Sequence, residues 1–261
     1  MSTLSAPAPV SGPVSVNGAA PINSPASINS AASINSAASI NGAGPINAAV
    51  AAGVAFTLVD LGAQLDSRAI SPAASTGAGG FNVWGNSFPA EHLPPPDSRV
   101  AAGGVPFAFA PSDAQGDNLR CAGQFVHVPS GRYDWVHVLA AAERRAEDHL
   151  ALHFADGSVD FEDLRISDFW SEAHPVFGDV PAFRTPVMHY PHHVQRNVSA
   201  LMWAQRVPVT RRAPLVGLRF PRNLAVHVFA VTLQADATQL DSTQRDSTQD
   251  AIPADATGGQ A

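Results

Sequence analysis

The chain has 261 residues, of which 45% are hydrophobic and only 14% charged, and its formal net charge is −7. All fifteen basic residues are Arg, and an acidic chain of this kind lacks the broadly basic surface that nucleic-acid binding requires. The single cysteine, Cys121, excludes an intramolecular disulfide framework and a cysteine-based zinc cluster, and no run reaches the ~18 consecutive apolar residues of a membrane span.

The first fifty residues carry a six-residue repeat, in which Val16-Asn17, Ile22-Asn23, Ile28-Asn29, Ile34-Asn35, Ile40-Asn41 and Ile46-Asn47 are evenly spaced among Ser, Ala, Gly and Pro. One large apolar side chain per hexad leaves too thin a core for a β-helix, so disorder is predicted over 1–53. The N-terminus shows neither a basic n-region nor an apolar h-region; the expected location is therefore cytoplasmic, or extracellular by a non-classical route. Aromatic residues begin at Phe56 and end at Phe229, which bounds the foldable domain at 54–235.

Within that domain the hydrophobic period is mostly two. Strands are predicted over 54–59, 105–109, 124–128 and 135–139, then over 149–154 and 159–166 on either side of Asp156-Gly157, a hairpin signal. Residues 140–146 read as a short helix or a ragged hairpin loop. Further strands follow over 198–209, 214–220 and 224–233. In the last, Val226, Val228, Ala230 and Thr232 share one face, and His227, Phe229, Val231 and Leu233 share the other. Phe229 places its own face inward, so His227 is expected near the strand's edge or bonded to backbone. The tail 236–261 repeats Asp-Ser-Thr-Gln, holds five Asp against one Arg, and is predicted to be disordered. Many short strands with Gly/Pro turns predict an all-β sandwich.

Several phrases are more specific than composition. They include Phe81-Asn82-Val83-Trp84-Gly85-Asn86-Ser87-Phe88-Pro89-Ala90-Glu91-His92-Leu93-Pro94, Tyr133-Asp134-Trp135-Val136-His137-Val138-Leu139, Ser167-Asp168-Phe169-Trp170 and Leu218-Arg219-Phe220-Pro221. In this order the set resembles the accessory β-sandwich modules of actinobacterial glycoside hydrolases, which look like the galactose-binding-like jelly roll. The resemblance implies a jelly-roll-like sandwich without catalytic machinery of its own, on a fold that hosts sugar binding, protein contacts and structural roles.

Sugar recognition needs aromatic faces for the pyranose ring and fixed polar groups for its hydroxyls. Trp84, Tyr133, Trp170 and Tyr190 lie in loop-like contexts and are the candidate platforms, with Asn86, Glu91 and Asn118 as polar partners; Trp84 and Trp170 read first as plugs at the sandwich ends. Trp135 and Trp203 fall in strand patterns and are assigned to the core. His174, His189, His192 and His193 carry enough imidazole for a transition metal, but Pro175, Pro181, Pro186 and Pro191 mark a loop without zinc-motif spacing, so solvated histidines are expected there. His127, His137, His153 and His227 alternate with strand residues and are expected to face solvent or bond backbone carbonyls.

Asp156, Asp160, Glu162, Asp163 and Asp168 form an acidic stretch from which no acid–base pair can be named; calcium ligation by Asp and backbone carbonyls is a second use for it. Cys121 reads as a buried inert thiol, and Ser87 lacks an esterase elbow. The function expected is a non-catalytic module without cofactor, taking a glycan or similar polar ligand through loops at one end. The alternative is a structural or protein-interaction domain, and a glycoside hydrolase ranks third.

Overall fold

The computed structural model of the protein describes residues 49–51, 54–110, 114–170 and 174–236. All of them belong to Ala37–Ala261, one of two units into which the chain divides. Nearly all of the hexad repeat and of the Asp-Ser-Thr-Gln tail lies outside the described residues.

In chain order the strands are β1 (Ala49–Ala51), β2 (Val54–Val59), β3 (Ile70–Ser71), β4 (Phe88–Pro89) and β5 (Arg99–Ala102). β6 (Val105–Ala108), β7 (Leu119–Arg120), β8 (Phe125–Gly131), β9 (Trp135–Ala142) and β10 (Ala146–Phe154) follow. The last are β11 (Val159–Ile166), β12 (Val180–Tyr190), β13 (His193–Pro208), β14 (Leu215–Arg219) and β15 (Val226–Asp236). A large antiparallel sheet runs β1-β2-β15-β9-β13-β12, with β7 also paired to β15, and a four-stranded sheet runs β11-β10-β14-β8. The chain is thus an all-β sandwich. β1 starts the large sheet inside the segment expected to be tail, pairing Ala49 with Phe56.

The large sheet is buried on both faces, which is why its central strands read as continuous apolar runs rather than alternating ones. Along β9, Val136, Val138, Ala140 and Ala142 face the four-stranded sheet, where they meet Leu150, Leu152 and Leu164. Leu139 and Ala141 face the other way, into a second core with Phe81, Phe88, Phe107 and Phe169 from the segment that crosses the outer face. The β5–β6 hairpin belongs to that cover. Its two-residue Gly103-Gly104 turn has both φ positive, the geometry that matches strand twist, and Thr232 Oγ1 donates to Pro106 O at 2.6 Å.

β15 lies between β2 and β9, as a central strand should. Its predicted alternation fails at one point. A register shift between Val228 and Ala230 reverses the facing, so Val226, Val228, Val231 and Leu233 fill the inter-sheet core while Phe229 and Ala230 fill the second. An extra residue in one strand of a pair moves every later side chain to the opposite face. His227 is fully buried and bonds a side chain, neither at an edge nor on backbone.

The expected hairpin at Asp156-Gly157 is present. Gly157 has φ +83°, its N–H donates to Phe154 O at 3.0 Å, and the Asp156 carboxylate receives Ser158 N at 2.9 Å. Residues 140–146 contain no helix; they end β9, turn, and begin β10. The proline-rich segment expected as a loop is instead β12. It is the edge strand of its sheet, and its pairing with β13 slips between Pro181 and Phe183 and between Thr185 and Val187. Proline removes no central ladder bond at an edge or a bulge.

Candidate functional site

At the end of the sandwich where β9 turns into β10, three loops and a strand end enclose a cleft of about 340 Å³. The first loop spans 81–86 and is built around one amide. Asn82 Oδ1 accepts from Trp84 N at 3.1 Å and Asn86 N at 3.2 Å, and Phe81 N donates to Asn86 O at 2.6 Å. Gly85 has φ +68°, and a Cβ there would stand 2.9 Å from Pro191 Cγ, so the loop needs glycine to lie against the β12–β13 turn. This geometry turns Trp84 outward, 60% exposed, and Asn86 inward, where its Oδ1 is buried without a hydrogen-bond partner.

The second loop, after β11, carries Asp168, Phe169 and Trp170. Asp168 Oδ1 accepts Trp170 N at 3.0 Å, Asp168 O accepts Trp203 Nε1 at 2.9 Å, and Phe169 N donates to Ala142 O at 3.1 Å. Trp170 is held edge-on to Phe169 with ring centroids 5.8 Å apart and stays 37% exposed. The third loop is the β9–β10 turn, which supplies Glu143 and Arg144. Tyr190, at the end of β12, closes the cleft with its ring stacked on His193 at 5.2 Å.

Glu143 connects the cleft to a buried polar chain. Its Oε1 is 3.1 Å from Arg120 Nη2 and 3.8 Å from His227 Nε2. His227 Nδ1 is 2.8 Å from Asn118 Oδ1, while Asn118 Nδ2 donates to Ser67 O at 3.1 Å and to Asp117 Oδ1 at 2.8 Å. With the amide nitrogen so committed, Asn118 Oδ1 is the acceptor and His227 Nδ1 carries the proton. His227 Nε2 then presents a lone pair, and it has no hydrogen-bond partner. Burial pushes the His227 pKa down, and the nearby Glu143 carboxylate opposes that shift. Burial likewise raises the Asp117 carboxyl, against the N–H groups of Ala69 and Ile70 that it accepts.

Of the seven residues read from sequence as ligand contacts, the cleft brings together Trp84, Asn86, Trp170 and Tyr190. Neither aromatic plug is inside the sandwich: both tryptophans are exposed. Asn118 lies behind the cleft and orients His227. Glu91 is exposed and accepts Ala73 N at 2.6 Å, which holds its carboxyl below the usual range. Tyr133 is buried, its hydroxyl donating to Pro129 O at 2.9 Å. Sequence reasoning missed Glu143 and Arg144, whose signal was a charged pair in the short link between two apolar strands. It also grouped Asp168 with the acidic stretch and not with the aromatic platforms. Trp203 is core as expected, whereas Trp135 is half-buried beneath Arg206, whose guanidinium carbon is 4.5 Å from the ring centroid.

Other constellations are structural. Ser71 Oγ is 2.9 Å from His189 Nδ1 and 2.6 Å from Ser87 Oγ, but all three side chains are buried beyond the reach of a substrate. His189 is therefore not a solvated loop histidine; its pKa is lowered by burial. His127 faces solvent, while His137 is buried and bonds Gln234 Oε1 at 2.7 Å. A larger depression of about 510 Å³ lies between the β5–β6 turn and β13, with His137 and Gln234 paired to each other in its wall. Among the described residues no three His, Cys, Asp or Glu side chains converge as a metal site, and Asp160 and Asp163 of the acidic stretch pair with Arg211 and Arg165. Cys121 is buried and its thiol pKa is raised, chiefly by that burial. No helix among the described residues is long and apolar enough to cross a membrane.

No curated protein shows significant similarity to the chain. A family model described as an AziU2-like beta-sandwich domain matches residues 55–237, which takes in β2 from its second residue, all of β3 to β15 and every residue of the cleft. The chain belongs to the AziU2-like β-sandwich domain family.

Proposed function

We propose that this domain is a non-catalytic binding module whose cleft between Trp84, Trp170 and Tyr190 takes a carbohydrate or a similar polar ligand with one apolar face. The observation that carries this reading is the pair of exposed indoles, Trp84 and Trp170, lining one cleft. Exposed aromatic rings offer a sugar's C–H face a stacking surface, and polar side chains in the same lining offer its hydroxyls partners. The cleft volume falls at the lower end of the roughly 300–1,000 Å³ range of small-molecule sites, which suits one or two sugar rings. The resemblance to galactose-binding-like modules supports the same reading.

The test is a glycan array probed with the full chain, followed by titration of each hit. The reading predicts hits whose affinity falls about tenfold or more in Trp84→Ala and Trp170→Ala, as loss of a stacking face requires. An array without hits, or hits indifferent to both variants, contradicts it. A protein-interaction role draws on a different feature, Phe161, which stands 70% exposed on the edge strand β11. Such a role would lose its partner in Phe161→Ser with the cleft intact.

A further inference from the structure

The depression of about 510 Å³ beside the β5–β6 turn lies away from the cleft, toward the start of β9 and the end of β13. Its floor is the outer face of the large sheet, where His137 and Arg206 stand directly opposite each other on β9 and β13. Val54, Phe56, Val105 and Val180 give it apolar walls, and Val180 is 45% exposed, within reach of a ligand. Two glycines keep the mouth open: a Cβ at Gly104 or Gly178 would meet no atom within 4 Å. Among the described residues the lining holds one permanent charge, Arg206, and no carboxylate. Arg206 is exposed and forms no ion pair among the described residues. The carboxylates of Asp134 and Asp179, close by in sequence, are committed elsewhere, Asp134 to Arg212 at 3.4 Å and Asp179 to Ser167 N and Oγ at 2.7 Å each. The Arg206 guanidinium lies over the Trp135 ring, 4.5 Å from its centroid, which orients the group before any ligand arrives. His137 is tied to Gln234, and burial lowers its pKa, so at neutral pH it adds no second charge.

We propose that this depression binds a monocarboxylate with an apolar body, its two oxygens on the Arg206 guanidinium and its hydrocarbon against Val54, Phe56, Val105 and Val180. The site is independent of the sugar reading of the cleft. A guanidinium presents paired N–H donors that match both oxygens of a carboxylate, and its single charge balances the carboxylate's one. A phosphate monoester brings nearly two negative charges and leaves one unmatched. A neutral molecule of the same shape covers the apolar walls but leaves the guanidinium to water. A small anion such as acetate meets the guanidinium but removes little apolar wall from water.

The experiment follows the Trp135 indole N–H signal by NMR on the full chain at about pH 7, where a carboxylate is ionised, while octanoate, octanol or acetate is added. Octanoate is expected to shift Trp135 saturably, with an affinity about tenfold or more above that of octanol or acetate, and to leave Trp84 and Trp170 unmoved. Its advantage over octanol should shrink as salt is raised. Arg206→Gln should bring octanoate down to the level of octanol, whereas Arg206→Lys, which keeps the charge but not the fork, should keep part of the difference. Val180→Ser should weaken octanoate and octanol together and leave acetate unchanged. Arg206 and Val180 are both exposed, so neither substitution opens the core. Octanol binding as tightly as octanoate, an octanoate affinity indifferent to Arg206→Gln, or no saturable binding of octanoate overturns the proposal. Each of these outcomes leaves the sugar reading standing, since that reading falls only with the array and the Trp84 and Trp170 variants.

Discussion

His227 and Asn118 share one hydrogen bond, Nδ1 to Oδ1 at 2.8 Å, and through it the central strand β15 is tied to β7 and to the loop that precedes it. Asn118 makes that bond with the same amide that donates to Ser67 O and Asp117 Oδ1, so one side chain completes three buried contacts. Asn118→Ala would orphan His227 Nδ1, while the Asp117 carboxylate would keep the N–H groups of Ala69 and Ile70. Leaving buried polar groups unmade costs about 1–3 kcal/mol each. Urea denaturation should show a loss within that range for the one orphaned group, with Asn118→Asp recovering part of it. A neutral result would mean that the amide chain contributes nothing to stability.

Buried imidazoles give the fold a pH dependence with a definite sign. His137, His189 and His227 all have pKa values lowered by burial. The charges that face them are Arg206 for His137, Glu91 and His92 for His189, and Glu143, Arg120 and Asp117 for His227. Each ring is harder to protonate folded than unfolded, so the unfolded chain binds more protons once pH drops below the free-histidine value of about 6.5. Stability is therefore full above that value and declines as pH falls toward 5. Asp117, raised by burial, works in the opposite direction and only as pH nears the carboxylate range. Thermal melts across this window should show the midpoint falling with pH; a midpoint that rises as pH drops would contradict the burial of these rings.

Phe229 packs edge-on to Phe88, ring centroids 6.0 Å apart, in the second core. Phe229→Ala should destabilise by about 3–5 kcal/mol, the usual range for a buried phenylalanine. Truncation after Asn223 removes β15 from between β2 and β9 and should leave no cooperative unfolding transition. A truncated chain that stays monomeric and melts cooperatively would make β15 peripheral, against its place in the sheet.

Gly217 lies on β14 beneath the Phe125 ring, and a Cβ at 217 would land on that ring. Gly217→Ala should cost about 1–3 kcal/mol by overpacking. Adding Phe125→Leu should restore part of the loss, a coupling that a double-mutant cycle reads directly.

How far the sequence could be read differs between fold and site. The β10–β11 hairpin was legible because Asp156-Gly157 sets a backbone geometry that few other pairs adopt. β12 was not, because Pro181 and Pro186 are tolerated only through its edge position and its two register shifts, both tertiary facts. The facing of β15 failed at a bulge, which no period-two pattern reveals. In the cleft, Trp84, Asn86, Trp170 and Tyr190 were found through residue type and loop context. Glu143 was missed because its part depends on the β9–β10 turn meeting two loops distant in sequence, and His227 because its partner Asn118 stands 109 residues away.

The most direct test of the cleft as a binding site uses the four tryptophans as reporters. Indole N–H signals are followed by NMR on the full chain while the sugar that binds most tightly in titration is added. Trp84 and Trp170 line the cleft, whereas Trp135 stands at the opposite end of β9 under Arg206. The account predicts saturable shifts of the Trp84 and Trp170 signals, with Trp135 unmoved. Saturable binding that shifts Trp135 alone, or that leaves Trp84 and Trp170 unchanged, would contradict it.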